Sequence, residues 1–108
     1  MITIPGHTRL FLFGSPVNML NSFEGLSTLV EMAFPGKLME GYFIFINRVR
    51  DRMKVLYWDG DGLSIWYKRL EKGSFLIKKD DSVNLSRREF FMLLEGITPK
   101  KMQKRYKL

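Results

Sequence analysis

Apolar and polar positions along the chain fall into segments of two different periods. Thr8 to Phe13, "TRLFLF", reads as a first strand, closed by Gly14-Ser15-Pro16. Serine suits a helix N-cap and proline the first helical position, so a helix is expected next. Met19, Phe23, Leu26, Val30 and Phe34 then recur at spacings of three and four, with Glu24, Ser27, Thr28 and Glu31 on the other side. The spacing predicts an amphipathic helix from Met19 to Phe34, ended by Pro35-Gly36. Gly25 in its middle costs up to ~1 kcal/mol relative to alanine. It marks either a close approach by another backbone or tolerated drift.

Beyond the helix, "YFIFIN" (Tyr42 to Asn47) is apolar on both alternating faces, which suits a central strand. "RVRDR" (Arg48 to Arg52) interrupts with charge before "MKVLYW" resumes in β-branched and aromatic residues. In "YWDGDGLSIWY" two strand-like runs flank Asp-Gly-Asp-Gly, and Asp-Gly is a favoured pair for type I′ turns. A tight hairpin of that kind accounts for both glycines. A calcium loop beginning at Asp59 would need a glutamate at its twelfth position, and that position is Leu70. "SFLIKKDD" reads as another short strand, with its lysines and aspartates in a charged turn. Ser86 with Glu89 forms a capping box, followed by an apolar stripe of Phe90, Leu93, Leu94 and Ile97. Gly96 and Pro99 would end that second helix, expected over Ser86 to Glu95. The expected fold class is therefore α+β: a mostly antiparallel sheet with a central hairpin, Met53 to Leu70, and two packed helices.

The 108 residues suit one domain, expected at 1–97, with a basic arm at 98–108. With 45% hydrophobic residues a core is affordable, since chains of this size bury a bit over ~60% of their unfolded surface. There are no cysteines, which excludes disulfides, thiolate metal sites and cysteine nucleophiles. The first residues carry no basic segment followed by a long apolar run, and no stretch approaches the ~20 apolar residues of a membrane span. A cytoplasmic protein without a membrane partner is expected. Eighteen Lys and Arg against eleven Asp and Glu give a net charge of +7, a field that attracts polyanions.

Alternation puts Leu63, Ile65, Tyr67 and Arg69 on one face of a strand and Ser64, Trp66, Lys68 and Leu70 on the other. Aromatics interleaved with cations can stack bases while the charges follow phosphates. The same residues also serve as ordinary cross-strand packing pairs, and alternation does not choose between the two. Catalytic chemistry is hard to find. His7 stands alone near the N-terminus, no Ser-His-acid set is visible, and "GDGLSIWYKR" lacks the spacing and ending of a phosphate-binding loop. Two-metal nuclease chemistry would require Asp51, Asp59, Asp61 and Glu71 to converge. No catalytic residue, metal ligand or cofactor is expected.

"FEGL" at Phe23 to Leu26, "DRMKVLYWDGDGLSIWYKRLEKGSF" at Asp51 to Phe75 and "LLEGI" at Leu93 to Ile97 resemble, in order and spacing, the small accessory protein TnpB of the insertion sequence sixty-six transposons. The resemblance runs from about Arg9 to Ile97. It implies a protein encoded beside a DDE-type transposase and needed for efficient transposition, with no catalytic activity assigned. The chain departs from that pattern at Asn18-Met19-Leu20-Asn21, where the family usually reads Asp-Met-Arg-Lys, and again at Thr98-Pro99 and the lysine-rich arm.

The leading expectation is a non-catalytic accessory protein of DNA transposition that binds transposon-end DNA, the partner transposase, or both. Arg48, Arg50, Arg52, Lys54, Lys68 and Arg69 are the candidate phosphate-facing set, and a solvated loop is the plainer reading of Arg48 to Arg52. Trp58, Trp66 and Tyr67 are the candidate partner-binding residues of an exposed aromatic hairpin. In a second reading the module docks on transposase without touching DNA. A third, a small toxin-type ribonuclease, lacks nameable acid and base groups.

Overall fold

Strand-forming segments and one apolar helix stripe assemble in the computed structural model, which describes residues 2–76 and 84–94. The elements are β1 (Arg9–Leu12), α1 (Phe23–Ala33), β2 (Gly41–Ile46), β3 (Arg52–Trp58), β4 (Leu63–Arg69) and α2 (Arg87–Leu94). The fold is α+β. Its sheet has the order β1-β2-β3-β4, with β1 parallel to β2 and the other two pairs antiparallel. The hairpin supplies one side of the sheet, with β3 inside and β4 at the edge.

Because side chains alternate across a strand, the doubly apolar β2 feeds two cores. Phe43 and Phe45 join Phe11, Leu56, Leu26 and Val30 beneath α1. Ile44 and Ile46 join Leu10, Leu12, Met53, Val55 and Phe75 on the opposite face, covered by Phe90, Leu93 and Leu94 of α2. Each such side chain, fully buried, contributes about 1.5–3 kcal/mol. Phenylalanine rings dominate the α1 side, where Phe11 stacks on Phe43 at 5.2 Å and tilts against Phe34 at 4.9 Å. The N-terminal segment closes the α2 side: Ile2 and Ile4 are buried, the Tyr42 hydroxyl donates to the Thr3 carbonyl, and Arg87 donates to the Pro5 carbonyl.

α1 begins at Phe23, not Met19, and Ser15-Pro16 do not start it. The reason lies in the sheet: the Phe13 and Val17 amides donate to the Ile44 and Ile46 carbonyls, so the chain keeps following β2 past the Gly-Ser-Pro step. A turn at residues 18–21 then delivers it to Ser22, which takes the N-cap position without a side-chain cap bond. Gly25 does mark a close approach, but of a side chain: an added Cβ would lie 2.2 Å from Asn21 Oδ1 and 3.3 Å from Asn21 Cβ. Helix propensity alone would make Gly25→Ala stabilising by up to ~1 kcal/mol. The added methyl makes the Asn21 side chain turn away and give up its bond to the Asn18 carbonyl, which offsets that gain, and a net change under about 1 kcal/mol in urea unfolding is expected.

The Asp59–Gly62 loop closes the hairpin, though not as a type I′ turn. The Asp61 amide donates to the Asp59 carbonyl around Gly60, which has φ 75°, while Gly62 has no positive φ. Such a γ-turn needs glycine at one position only. α2 carries both bonds of the expected capping box, Glu89 N–H to Ser86 Oγ and Ser86 N–H to Glu89 Oε1, each 3.0 Å. Residues 74–76 are not in a strand; the remainder of the expected "SFLIKKDD" strand, the stop at Gly96 and Pro99, and the basic arm lie outside the described residues.

Candidate nucleic-acid interface

The connection between β2 and β3 is a short turn organised by one side chain. Asn47 Oδ1 accepts from the Asp51 and Arg52 amides at 3.0 Å each, and its Nδ2 donates to Asp51 Oδ1 at 2.7 Å. The Arg50 amide donates to the Asn47 carbonyl, and Arg50 takes the left-handed conformation with φ 61°. Two further bonds fix the turn from outside: Phe75 N–H donates to the Arg50 carbonyl and Leu70 N–H to the Asp51 carbonyl, both 2.7 Å. Phe75 is itself fully buried. Arg48, Val49 and Arg50 are thus exposed on a backbone that is held at both ends.

Beside this turn Arg52 and Arg69 sit directly opposite each other across β3 and β4. Like charges in that relation are destabilising. Arg69 is offset by Glu71 at 3.2 Å, an exposed pair of little stabilising value. Among the described residues the side chains of Arg48, Arg50 and Arg52 have no carboxylate partner. The end of the sheet therefore carries four arginines against Glu71 and an Asp51 already bonded to Asn47.

A groove of about 590 Å³ opens next to them. One wall is residues 16–20, the other is Asn47, Arg48, Val49 and Arg52, and Tyr67 of β4 lines it as well. Lys54 ties the walls together. It is 8% exposed, and its Nζ donates to the Met19 and Asn21 carbonyls at 2.8 and 2.7 Å while lying 5.0 Å from the Tyr67 ring centroid. The turn it holds is built by Asn18, whose Oδ1 accepts from the Leu20 amide and whose carbonyl accepts from Asn21. This is the stretch where the chain departs from the pattern it resembles, so its two asparagines have a structural use.

The six expected cations therefore divide. Arg48, Arg50, Arg52 and Arg69 gather at one end of the sheet. Lys54 is an internal strut, and Lys68 lies on the other face, where its ammonium donates to the Leu94 carbonyl at the end of α2. The aromatics divide too. Tyr67 sits among the arginines and is 49% exposed. Trp66 packs on the α2-side core, and Trp58 stands at the opposite end of β3, near His7, Met39 and Asp59. Asn47 and Val49 carry no site signal of that kind in the sequence, and Asn18 and Leu20 stand out only as departures from the family's pattern; an asparagine directly after a strand is the signal that could have found Asn47.

Asp59 and Asp61 lie at one end of β3 and Asp51 and Glu71 at the other, so the four carboxylates do not converge. Among the described residues no group of three or more His, Asp or Glu is placed to hold a metal ion. At the far end Tyr42 stacks on Tyr57 at 4.4 Å, and burial, with Tyr57 and Asp59 adding, raises the Tyr42 pKa above its ordinary value. It stays a neutral hydrogen-bond donor at physiological pH. No described helix is long and apolar enough to cross a membrane.

Compared with known protein families, residues 8–104 match the one described as "IS66 Orf2 like protein". The chain belongs to that family. This places the IS66 Orf2-like chain among accessory proteins of insertion sequences. It is also similar to the uncharacterized protein y4jC of Sinorhizobium fredii (strain NBRC 101917 / NGR234), 33% identical over 95 residues, covering 82% of this chain and 79% of that one. No solved structure matches it.

Proposed function

We propose that this IS66 Orf2-like protein is a non-catalytic accessory factor of transposition, working in the cytoplasm without a cofactor, that binds transposon DNA through the arginine end of its sheet. The observation that carries the reading is the opposed Arg52 and Arg69 beside the braced Arg48–Arg50 turn. A fold keeps four cations together at a cost in repulsion where an anion relieves it, and a phosphate backbone supplies that anion. Lys54 and Lys68 act from inside, by holding the groove wall and the end of α2.

The test is fluorescence anisotropy with labelled transposon-end and scrambled duplexes across a salt series. Arg48→Ala/Arg50→Ala/Arg52→Ala is expected to weaken binding about tenfold at 0.1 M salt and to flatten the salt slope by about one unit per lost contact. An unchanged slope would remove these arginines from the interface.

One feature favours transposase as a second partner at the same end. Leu20 is 90% exposed and Val49 68%, and both line the groove rim. Exposed apolar side chains on a groove rim suit a protein partner that would bury them. Co-purification with transposase that survives nuclease treatment and is lost in Leu20→Ser/Val49→Ser would support that docking. Trp58 and Trp66, on other parts of the molecule, would be dispensable for it.

A further inference from the structure

We propose that the groove between residues 16–20 and the Arg48–Arg50 turn binds an unpaired nucleotide, its base stacked on Tyr67 and its phosphates held by Arg48 and Arg52. The inference rests on the DNA-binding reading and sharpens it: the preferred ligand is a duplex with a single-stranded extension.

Four observations lead there. Tyr67 is a strand aromatic that remains about half open although its neighbours on the same face of β4, Leu63 and Ile65, pack against the α1-side core. The Lys54 ammonium, itself fastened to two carbonyls, lies over the ring at 5.0 Å and favours its present orientation, so less freedom is lost when a base stacks. The groove volume of about 590 Å³ falls in the range of small-ligand sites. A paired base cannot present its face there, whereas an unstacked one can. Arginines on the wall and beside the ring give the alternation of π-face and cation that single-strand binding uses.

The same surface would accept the phosphates of any DNA, so the test must separate base from backbone. Three probes are compared by anisotropy: a blunt duplex, the same duplex with a short single-stranded extension containing 2-aminopurine, and that duplex with an abasic extension of equal length. The expected result is about tenfold tighter binding of the base-bearing extension than of the abasic one, with quenching of 2-aminopurine fluorescence. Tyr67→Leu abolishes both the gain and the quench, and Tyr67→Phe, which keeps the ring, retains them. Circular dichroism confirms that both variants fold. Equal affinity for base-bearing and abasic extensions, or quenching that survives Tyr67→Leu, overturns the proposal. If the blunt duplex still binds with a salt slope that depends on the arginines, only the stacking inference falls. If none of the probes binds, the DNA-binding reading falls with it.

Discussion

Lys54→Met lowers the stability of the fold by about 3 kcal/mol. The ammonium makes two charge-assisted hydrogen bonds, to the Met19 and Asn21 carbonyls, each contributing about 1.5–3 kcal/mol. Methionine keeps the volume of the stem and avoids burying a charge, which returns part of that gain, but it leaves both carbonyls unpaired. For a domain of this size the loss corresponds to a melting temperature lower by roughly 10–20 °C. A surface lysine replaced by methionine would shift it by almost nothing. Thermal unfolding of the purified variant decides between the two, and a change under 2 °C would show that Lys54 braces neither groove wall.

Asn47→Ala is expected to cost about 2–3 kcal/mol and to weaken DNA binding although no charge is removed. Its amide makes three hydrogen bonds inside the turn, each contributing about 0.5–1.5 kcal/mol. Without them the turn carrying the left-handed Arg50 is held only by backbone bonds: Arg50 N–H to the Asn47 carbonyl, Asn47 N–H to the Arg52 carbonyl, and the Phe75 and Leu70 amides. The arginines then have to be ordered when DNA binds, so affinity falls while the salt slope, which counts phosphate contacts, stays the same. Loss of affinity together with loss of slope would mean instead that the contacts themselves had moved.

Much of this architecture is readable in the chain, and the failures have definite causes. The doubly apolar "YFIFIN" announces an interior strand with a core on each face, and β2 is that strand. Ser86 and Glu89 announce α2 because both capping bonds are local. The start of α1 is hidden because Met19 lies four residues before Phe23 and so continues the stripe by coincidence, while the contact that keeps Val17 extended, with Ile46, is remote in sequence. The role of Lys54 is hidden for the same reason. Alternation places it on the face of Leu56, but only the tertiary fold brings the Met19 and Asn21 carbonyls to its tip. The exposure of Arg48 and Arg50 in "RVRDR" is readable because turn charge needs no partner to face solvent. Which aromatic would join them is not, since Trp66 and Tyr67 are adjacent in sequence and opposite in the sheet.

In the proposed function DNA meets the arginine end of the sheet and not the hairpin tip. Amide chemical-shift mapping during titration with a transposon-end duplex tests it directly. The largest shifts are expected in residues 16–20, 47–52 and 67–69, with Trp58 to Gly62 and Met39 to Gly41 nearly unmoved. Shifts concentrated around Trp58 and the Asp59–Gly62 loop, with the Asn47–Arg52 turn unchanged, would contradict it.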